Sequence, residues 1–563
     1  MQLTDLAANK PKALHFALEF DGAATPVKTA LFLLVVLCWL LPGLVGHDPW
    51  KPHESQTIGV IHSMVKSGDW LVPMLAGEPY LLRPPLYYWT AGLFAKVFSP
   101  LLPLHDAARL ASGFYMALAI LLVMLTGEKL FGPRFGRVTA LIFIGSFGLL
   151  VTAHMLSADT AMLAAVALLT YGLAWLPARV TTAGLCIGTG IGMAFLAKGS
   201  GAGALALAMA AMPFLLFRVW RTRPTAQALA IALLAALPWL VGWPATLYAR
   251  SPQLAMEWLW LNDWAEFSGV FSMASMGRLA YYLGLLPWYA WPALPLVCVM
   301  FWYGRWRLMG EPKIQLLMGS LLGVLIMLCI TGDTHESKAL PILIPLSLIC
   351  ASRIDELRRG AASALDWFGM MTFGLLAAGM WVGWLALLYN FPEPVVKYLQ
   401  TYLPGYRLEF RTFAFVLALT LSVLWLISIT RSRQSNRRAI VNWTAGITMF
   451  WMLAMTLWLP LIDEGKSYRA MANSLKQALP LPPTCVASRG LGEAQRAMLD
   501  YFIDLRTRRL ELTTANNCRF LLTQGVQTAP TFADGEDWRL VWEGARPGDR
   551  VELYRLYQRR RKS

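Results

Sequence analysis

The sequence predicts a mainly helical, multi-pass membrane protein with a small α/β domain at its C-terminal end. The 563 residues are 57% hydrophobic and 15% charged, whereas soluble domains usually have about 25% charged residues. Runs such as 29–46 and 366–388 are almost free of charge, and about 20 such residues are enough for a helix to cross a ~30 Å hydrocarbon core. After residue 463 the pattern returns to that of a soluble domain.

The same criterion of length and hydropathy predicts about thirteen membrane-spanning helices. They lie near residues 29–46, 108–127, 136–153, 159–177, 180–196, 202–217, 226–248, 279–303, 314–331, 339–352, 366–388, 412–430 and 440–461. Residues 1–28 include Glu19 and Asp21 and precede the first apolar run, a length and composition that do not match a cleaved signal peptide. We therefore expect the first run to remain as a membrane span.

Every second connection between the predicted spans is basic, which sets the orientation. Examples are Arg218, Arg221 and Arg223 in one loop and Arg353, Arg358 and Arg359 in another. Basic loops stay on the cytoplasmic side, so the N-terminus is predicted to be cytoplasmic, and an odd number of spans places the C-terminus outside. These loops account for the net charge of +16 without a nucleic-acid partner.

We predict two domains, a membrane domain over 1–463, with an external loop at 47–107, and an external α/β domain over 464–563. The second is predicted from a helix near 493–502 and from strands at 485–488, 508–512, 518–523, 538–542 and 551–557. Cys485 and Cys518 each stand at the start of a predicted strand. In an oxidising compartment they form either a disulfide or two free thiols, since the sequence does not show whether the side chains meet.

Ionisable residues next to apolar segments gather on the predicted external side. They are His53, Glu54, Arg83, Asp159, Lys198, Asp263, Glu266, Asp333, His335, Glu336 and Lys338. Such residues are costly near a membrane and are default candidates for a functional site. Carboxylates beside a basic cluster suit a phosphate leaving group together with a general base or a metal.

Two of the acidic candidates also have simple structural interpretations. Asp159 follows Ser157 at the start of a predicted span, where it would complement the helix dipole. His53 and Glu54 could be a solvated pair in a loop. What favours a site is that Glu54 and Asp159 face the same compartment as Arg83, Lys198 and Lys338.

The sequence has no glycine-rich phosphate-binding loop after a strand, the feature expected of a soluble enzyme that uses nucleotide sugars. An external site also has little access to cytosolic nucleotides. We therefore expect an activated donor that is held by lipid and reaches the site through the bilayer.

Residues 53–92, HESQTIGVIHSMVKSGDWLVPMLAGEPYLLRPPLYYWTAG, resemble the first external loop of GT-C class glycosyltransferases that use lipid-linked sugars. They are most similar to the bacterial lipid A aminoarabinose transferases and the related protein-mannosyltransferase-like group. The resemblance rests on Ser67-Gly68-Asp69-Trp70, Pro73, Gly77, Tyr80, Pro84-Pro85-Leu86 and Tyr88-Trp89.

The resemblance implies a GT-C fold and an enzyme of the bacterial inner membrane. Such enzymes transfer a sugar, with inversion, from a polyprenyl phosphate such as undecaprenyl phosphate to an external acceptor, here lipid A or another envelope glycan or protein. Glu54 and Asp159 would then serve the acceptor or bind a divalent metal ion, and Arg83, Lys198 and Lys338 would bind the donor phosphate. We expect the chain to act as a monomer among membrane lipids.

Two departures from the family pattern leave alternatives open. His53 stands where the family has the leading Asp of an acidic pair, and Leu82 replaces the acidic residue before the cation at Arg83. His53 can act as the base near neutral pH, the acceptor can be a phosphate that needs no base, or the substrate class has changed or activity has been lost. Two carboxylates are a weak metal signature.

Two other classes of function are alternatives to the enzyme. A transporter or flippase of a lipid-linked intermediate would place charges near the midplane of broken helices and often show repeated halves. The charges here lie at the external rim and no repeat is visible in the sequence. A catalytically inactive scaffold with the same fold is suggested by His53 and Leu82.

Overall fold

The computed structural model describes residues 26–560 except 177, 265–273, 333, 432–434, 481–484, 513–517, 527–537 and 550. Glu266 and Asp333, two of the external charges predicted as candidates, lie outside the described residues. The described part of the chain is mainly helical, as predicted.

The described membrane part of the chain consists mainly of α-helices. They are α1 (Pro26–Leu40), α2 (His53–Ser67), α3 (Leu86–Phe98), α4 (Leu104–Phe131), α5 (Gly136–Ile144), α6 (Phe147–Leu150), α7 (Ala158–Trp175), α8 (Val180–Lys198), α9 (Ser200–Leu216), α10 (Arg223–Arg250), α11 (Pro252–Glu257), α12 (Ala274–Tyr289), α13 (Ala293–Gly304), α14 (Pro312–Ile330), α15 (Leu343–Ser352), α16 (Arg359–Tyr389), α17 (Glu393–Gln400), α18 (Thr412–Arg431), α19 (Asn436–Leu453) and α20 (Leu459–Lys466). A 3-10 helix, Glu336–Ile342, leads into α15.

Eight helices in the described part are long and apolar enough to cross a membrane, or up to ten if each of two bent pairs is one span. Two shorter apolar helices, α1 and α9, accompany them. The predicted number of thirteen spans stays a prediction.

Two of the predicted spans are not straight helices. The span at 136–153 bends by 75° between Ile144 and Phe147, and the span at 279–303 bends by 97° between Tyr289 and Ala293. Sharp bends of helices usually occur at proline or at Gly/Ser pairs. The first break contains Gly145 and Ser146 and the second contains Pro292, so the local sequence explains both.

The C-terminal part contains two helices and a five-stranded sheet. The helices are α21 (Arg469–Ala478) and α22 (Glu493–Ile503), and the strands are β3 (Val486–Arg489), β4 (Arg508–Arg509), β5 (Phe520–Val526), β6 (Trp538–Gly544) and β7 (Glu552–Arg559). The strand order is β4-β3-β5-β7-β6, with β3 parallel to β4 and β5 and the other pairs antiparallel. A disulfide joins Cys485 to Cys518, at the starts of the neighbouring strands β3 and β5.

The external loop lies between the helical bundle and the C-terminal sheet. It contains α2, a short hairpin of β1 (Met74–Leu75) and β2 (Glu78–Pro79), and α3. Helix α2 packs along α22, where Gly59 allows the backbones to approach: a Cβ at Gly59 would lie 2.5 Å from the Cβ of Ala497. The loop therefore has one face on the bundle and one on the C-terminal domain.

Candidate active site

A cavity of about 1160 Å³ opens at the end of the bundle that carries α2. Both bent helix pairs contribute residues to its wall. The described residues that line it are His53, Leu82, Arg83, Phe147, Gly148, Val151, Thr152, Met155, Ser157, Asp159, Lys198, Arg278, Leu285, Trp288, Tyr289, Gly332, Thr334, His335, Glu336, Ser337 and Lys338.

Asp159 lies in the first turn of α7 and is 6% exposed. Its carboxylate accepts hydrogen bonds from Lys198 Nζ at 2.5 Å and from Ser157 Oγ at 2.7 Å. Ser157 also caps the helix, since its Oγ accepts a hydrogen bond from the Asp159 backbone N–H at 3.2 Å. Asp159 therefore has the expected place at a helix N-terminus and, in addition, faces the cavity.

Lys198 is the last residue of α8, and a tight turn holds it next to the cavity. Gly199 follows with a φ of +88°, a conformation that favours glycine. A side chain at this position would overlap the carboxylate of Asp263. Asp263 Oδ1 accepts a hydrogen bond from the Ser200 N–H at 2.7 Å, which fixes the start of α9 and, through it, the end of α8.

Three more of the predicted side chains line the same cavity. Arg83 and Lys338 are half-buried and come from the segment after β2 and from the 3-10 helix. His53 is the first residue of α2, and its ring lies edge-on to the ring of His335 with centroids 5.4 Å apart. Burial, with the charges of Arg83 and His335, lowers the pKa of His53 below 6.5, while Asp159 acts in the opposite direction.

Glu54 lies elsewhere. Its side chain is fully buried, does not line the cavity and accepts hydrogen bonds from Arg109 Nε at 2.9 Å, Leu156 N at 2.8 Å and Trp50 N at 2.9 Å. Burial opposes ionisation of Glu54, but the charge of Arg109 and the two N–H donors hold its pKa below the ordinary value. Successive residues of a helix point about 100° apart, so His53 faces the cavity and Glu54 faces the core.

The predicted pair of Glu54 and Asp159 does not fit a metal site. Each carboxylate is bound by a cation, Arg109 in one case and Lys198 in the other. Within the ranges that the structure describes, no group of three or more His, Cys, Asp or Glu side chains is placed to hold a metal ion.

Two arginines matter more than the sequence indicated. Arg278 is 5% exposed, lines the cavity and donates from Nε to the Cys329 carbonyl at 2.9 Å. Arg109 is fully buried and joins Glu54 to Asp106. Both stand within two residues of the start of a predicted span, and a charge at that position is the signal that could have revealed them.

The described cavity wall carries four Lys or Arg side chains and two carboxylates, Asp159 and Glu336. An excess of cations of this kind suits an anionic ligand such as a phosphate, which Arg grips with two donors and Lys with a point charge. Aromatic and aliphatic side chains from the two bent pairs line another part of the wall, which suits the apolar part of a lipid.

Comparison with known proteins gives both sequence and fold relatives. A family model described as dolichyl-phosphate-mannose-protein mannosyltransferase matches residues 82–243. An undecaprenyl phosphate-alpha-4-amino-4-deoxy-L-arabinose arabinosyl transferase from Edwardsiella ictaluri is 27% identical over 62% of this chain and 63% of its own length. One from Aeromonas salmonicida is 28% identical over 62% and 65%. The match thus spans less than two thirds of either relative.

Solved structures extend the likeness to almost the whole chain. The crystal structure of ArnT from Cupriavidus metallidurans bound to undecaprenyl phosphate covers 95% of this chain and 98% of its own, with a TM-score of 0.66 and 16% identity. The apo form gives a TM-score of 0.62 at 17% identity, over 94% and 98%. The predicted resemblance is therefore confirmed: the chain is similar in sequence to the bacterial undecaprenyl-phosphate aminoarabinose transferases and has the fold of the ArnT structures.

Proposed function

We propose that this protein is a membrane glycosyltransferase that moves a sugar from a polyprenyl phosphate to an acceptor outside the membrane. The observation that carries the proposal is the buried Asp159–Lys198 pair in a cavity with further cations at Arg83, Arg278 and Lys338. The names of the sequence relatives support the reaction class, and the lipid in the ArnT structure supports the kind of donor.

The donor phosphate binds to the cations of the cavity. Lys198, Arg83 and Lys338 come from three separate parts of the chain and line one cavity, so all three can bind the same anion. Asp159 orients the Lys198 ammonium through the 2.5 Å contact. Hydrogen bonds from a charged ammonium or guanidinium group are stronger than hydrogen bonds between neutral groups. This suits a phosphate that loses its contacts with water when it enters the cavity.

Transfer proceeds by displacement at the anomeric carbon. An acceptor oxygen forms the new bond to that carbon on the face opposite the phosphate, which gives inversion, and the carbon–oxygen bond to the phosphate breaks. The phosphate leaves with the electron pair, and the cations stabilise the charge that grows on it. The proton of an acceptor hydroxyl passes to His53, which is neutral near pH 7 because its pKa is lowered. An acceptor phosphate that is already ionised needs no such transfer.

We also propose a topology, an acceptor and an oligomeric state for this enzyme. We place thirteen spans in a bacterial inner membrane, the N-terminus in the cytoplasm and the C-terminal domain in the periplasm, following the basic loops. The acceptor is lipid A or another envelope glycan or protein. We propose that a monomer is active.

Replacement of Lys198 tests the site. In liposomes that contain a polyprenyl-phosphate sugar, Lys198→Ala should lower the rate of transfer by about 100-fold or more, since the leaving phosphate loses a preorganised charge. Lys198→Arg should retain part of the activity. Lys397→Ala, at a side chain that is 73% exposed, is the matched control and should not change the rate. Full activity of Lys198→Ala would refute the site.

The identity of the sugar and of its acceptor can be tested in cells. Mass spectra of envelope glycolipids and glycoproteins from strains with and without the gene should differ by one sugar on one class of acceptor. Polyprenyl phosphate that binds without any turnover would instead support the inactive scaffold.

A further inference from the structure

Resting on the proposed function, we propose that Tyr289 binds the sugar of the donor, through a hydrogen bond between its phenol hydroxyl and a hydroxyl of the sugar. Tyr289 is the last residue of α12, at the 97° bend, and it lines the cavity. Alone among the described tyrosines, it has a buried hydroxyl without a hydrogen-bond partner. The sugar supplies the partner that this hydroxyl lacks.

A buried hydroxyl without a partner is unusual, because it gives up its hydrogen bonds to water and gains none in return. Other buried tyrosines of this chain avoid that loss: the Tyr87 hydroxyl lies 2.6 Å from Ser112 Oγ, and the Tyr115 hydroxyl also has a hydroxyl partner, at 2.7 Å. Phenylalanine would fill the place of Tyr289 equally well and would bury no polar atom. Packing alone therefore does not explain the hydroxyl.

The surroundings of Tyr289 restrict the position of its ring. A Cβ at Gly148 would lie 2.5 Å from Cδ1, Cε1 and Cζ of the ring, so a larger residue in α6 would push the ring away. Backbone hydrogen bonds continue on both sides of the bend, from Ala290 N to Leu286 O at 2.9 Å and from Leu294 N to Ala290 O at 2.9 Å. The hydroxyl thus has a defined place in the cavity wall, as a group that recognises a ligand requires.

The charges that act on Tyr289 favour a sugar hydroxyl over the donor phosphate as its partner. Among the described charged groups, the carboxylates of Asp159 and Glu336 act most strongly on this side chain. A carboxylate repels a phosphate, but a neutral sugar hydroxyl meets no such repulsion. The hydroxyl of Tyr289 is therefore suited to the sugar, and the phosphate to the cations of the cavity.

Tyr289→Phe tests the inference, because it removes the hydroxyl and keeps the ring. The probes are polyprenyl phosphates of equal chain length with a hexose, with a pentose or with no sugar, presented to the full-length protein in liposomes. The variant should bind the sugar-bearing lipid that the parent prefers about tenfold more weakly, the size expected for one hydrogen bond. It should bind the sugar-free lipid as tightly as the parent does. Tyr389→Phe, at a ring that is 72% exposed at the end of α16, is the control and should change neither affinity.

Two binding results would overturn the inference. Equal weakening of the sugar-bearing and the sugar-free lipid would place the hydroxyl on the phosphate, and unchanged binding of both would show that it contacts neither. The unfolding temperature is a second measurement. It should be the same in Tyr289→Phe as in the parent, or higher, because the lost hydroxyl has no partner. A lower temperature would show a structural role and contradict the inference.

The inference and the proposed function fail in different ways. If Tyr289→Phe loses affinity only for the sugar-bearing lipid but the parent transfers no sugar, the proposed function is refuted and Tyr289 remains a sugar-binding residue. If the variant binds and transfers the sugar as the parent does, the inference is overturned and the proposed function stands.

Discussion

His53 and Glu54 are neighbours in the sequence and have opposite environments. His53 lines a cavity and has its pKa lowered by burial and by nearby cations. Glu54 is enclosed by Arg109, Leu156 and Trp50. Since the same carboxylate also accepts the Leu156 N–H, it holds the segment that leads into Ser157 and Asp159. We infer that Glu54 is a positioning residue and that His53 is the group that meets substrate.

If His53 is the base, protonation of its imidazole should lower kcat/KM on the acidic side of the pH profile. Its lowered pKa keeps the imidazole neutral at pH 7, and protonation at lower pH removes the base. With a hydroxyl acceptor, kcat/KM should therefore fall as the pH drops below about 6.5. His53→Asn should lower activity by about 100-fold or more and should remove most of the pH dependence on the acidic side. His62→Gln is the control, because His62 lies on the same helix but faces α22, and this variant should keep the pH dependence of the parent. A pH dependence that persists in His53→Asn would exclude His53 as the base.

The buried pair of Arg109 and Glu54 predicts a large effect on stability. Arg109→Met leaves Glu54 and Asp106 buried without their cation, which should destabilise the fold by about 3–5 kcal/mol. The exposed pair of Lys397 and Glu393 is the control, because Lys397→Met should change stability by less than about 1 kcal/mol. Thermal unfolding in detergent measures both. Equal unfolding temperatures for the two variants would contradict a structural role of Arg109.

At the scale of elements, the packing of α2 on α22 connects the cavity to the C-terminal domain. Gly59 and Ala497 meet at the centre of the contact. Gln56 donates to Glu493 at 3.0 Å, and Lys66 pairs with Asp504. Since α2 begins at His53, the position of this helix decides where the imidazole lies.

A larger residue at Gly59 should separate these two helices. A Cβ there would lie 2.5 Å from Ala497 Cβ and 3.3 Å from its Cα, so Gly59→Leu should destabilise the contact by about 1–3 kcal/mol. Gly242→Leu is the control, because a Cβ at Gly242 has no atom within 4 Å. Limited proteolysis should release the C-terminal domain faster in Gly59→Leu only, and transfer should slow with it. Unchanged proteolysis in both variants would show that the contact tolerates the side chain.

At the scale of the whole molecule, ion pairs attach the C-terminal domain to the external loop in several places. Lys51 lies 3.3 Å from Asp549 and 3.2 Å from Glu552. Two further carboxylates of the loop are also paired: Asp48 with Arg469, and Glu78 with Arg496 and Arg509. The loop that carries His53 and Arg83 is thereby held between two bodies.

The disulfide should stabilise the C-terminal domain and, with it, the ion pairs between this domain and the external loop. Cys485 and Cys518 are 33 residues apart, and a loop of that length corresponds to about 3–4 kcal/mol in the chain-entropy model. The double variant Cys485→Ser/Cys518→Ser should be cleaved faster in the C-terminal domain, and reducing agent should act in the same way on the parent. Cys298→Ser, at an exposed free cysteine, is the control. Equal cleavage of parent and double variant would show that the domain does not depend on the bond.

Part of the candidate site could be predicted from sequence and part could not. The sequence predicts five external ionisable residues that all line one cavity: His53, Arg83, Asp159, Lys198 and Lys338. The predicted orientation of the spans is enough to identify these residues, because a charged residue at the end of a span lies near the membrane surface.

The misplacement of Glu54 has a geometric cause. The shared compartment and the family resemblance place Glu54 at the site, but one step along a helix turns a side chain by about 100°. The direction of α2 relative to the bundle decides whether His53 or Glu54 faces the cavity. The partners that bury Glu54 are also distant in the sequence, since Arg109 is 55 residues away and Leu156 is 102 residues away.

The sequence was sufficient for the mainly helical class, for the segments that form apolar helices and for the elements of the C-terminal sheet, because hydropathy and periodicity are local properties. Only the tertiary structure decided that the two bent spans line the same cavity, that Asp159 pairs with Lys198 and that Glu54 is turned into the core. These depend on contacts between residues far apart in the chain, which no local pattern records.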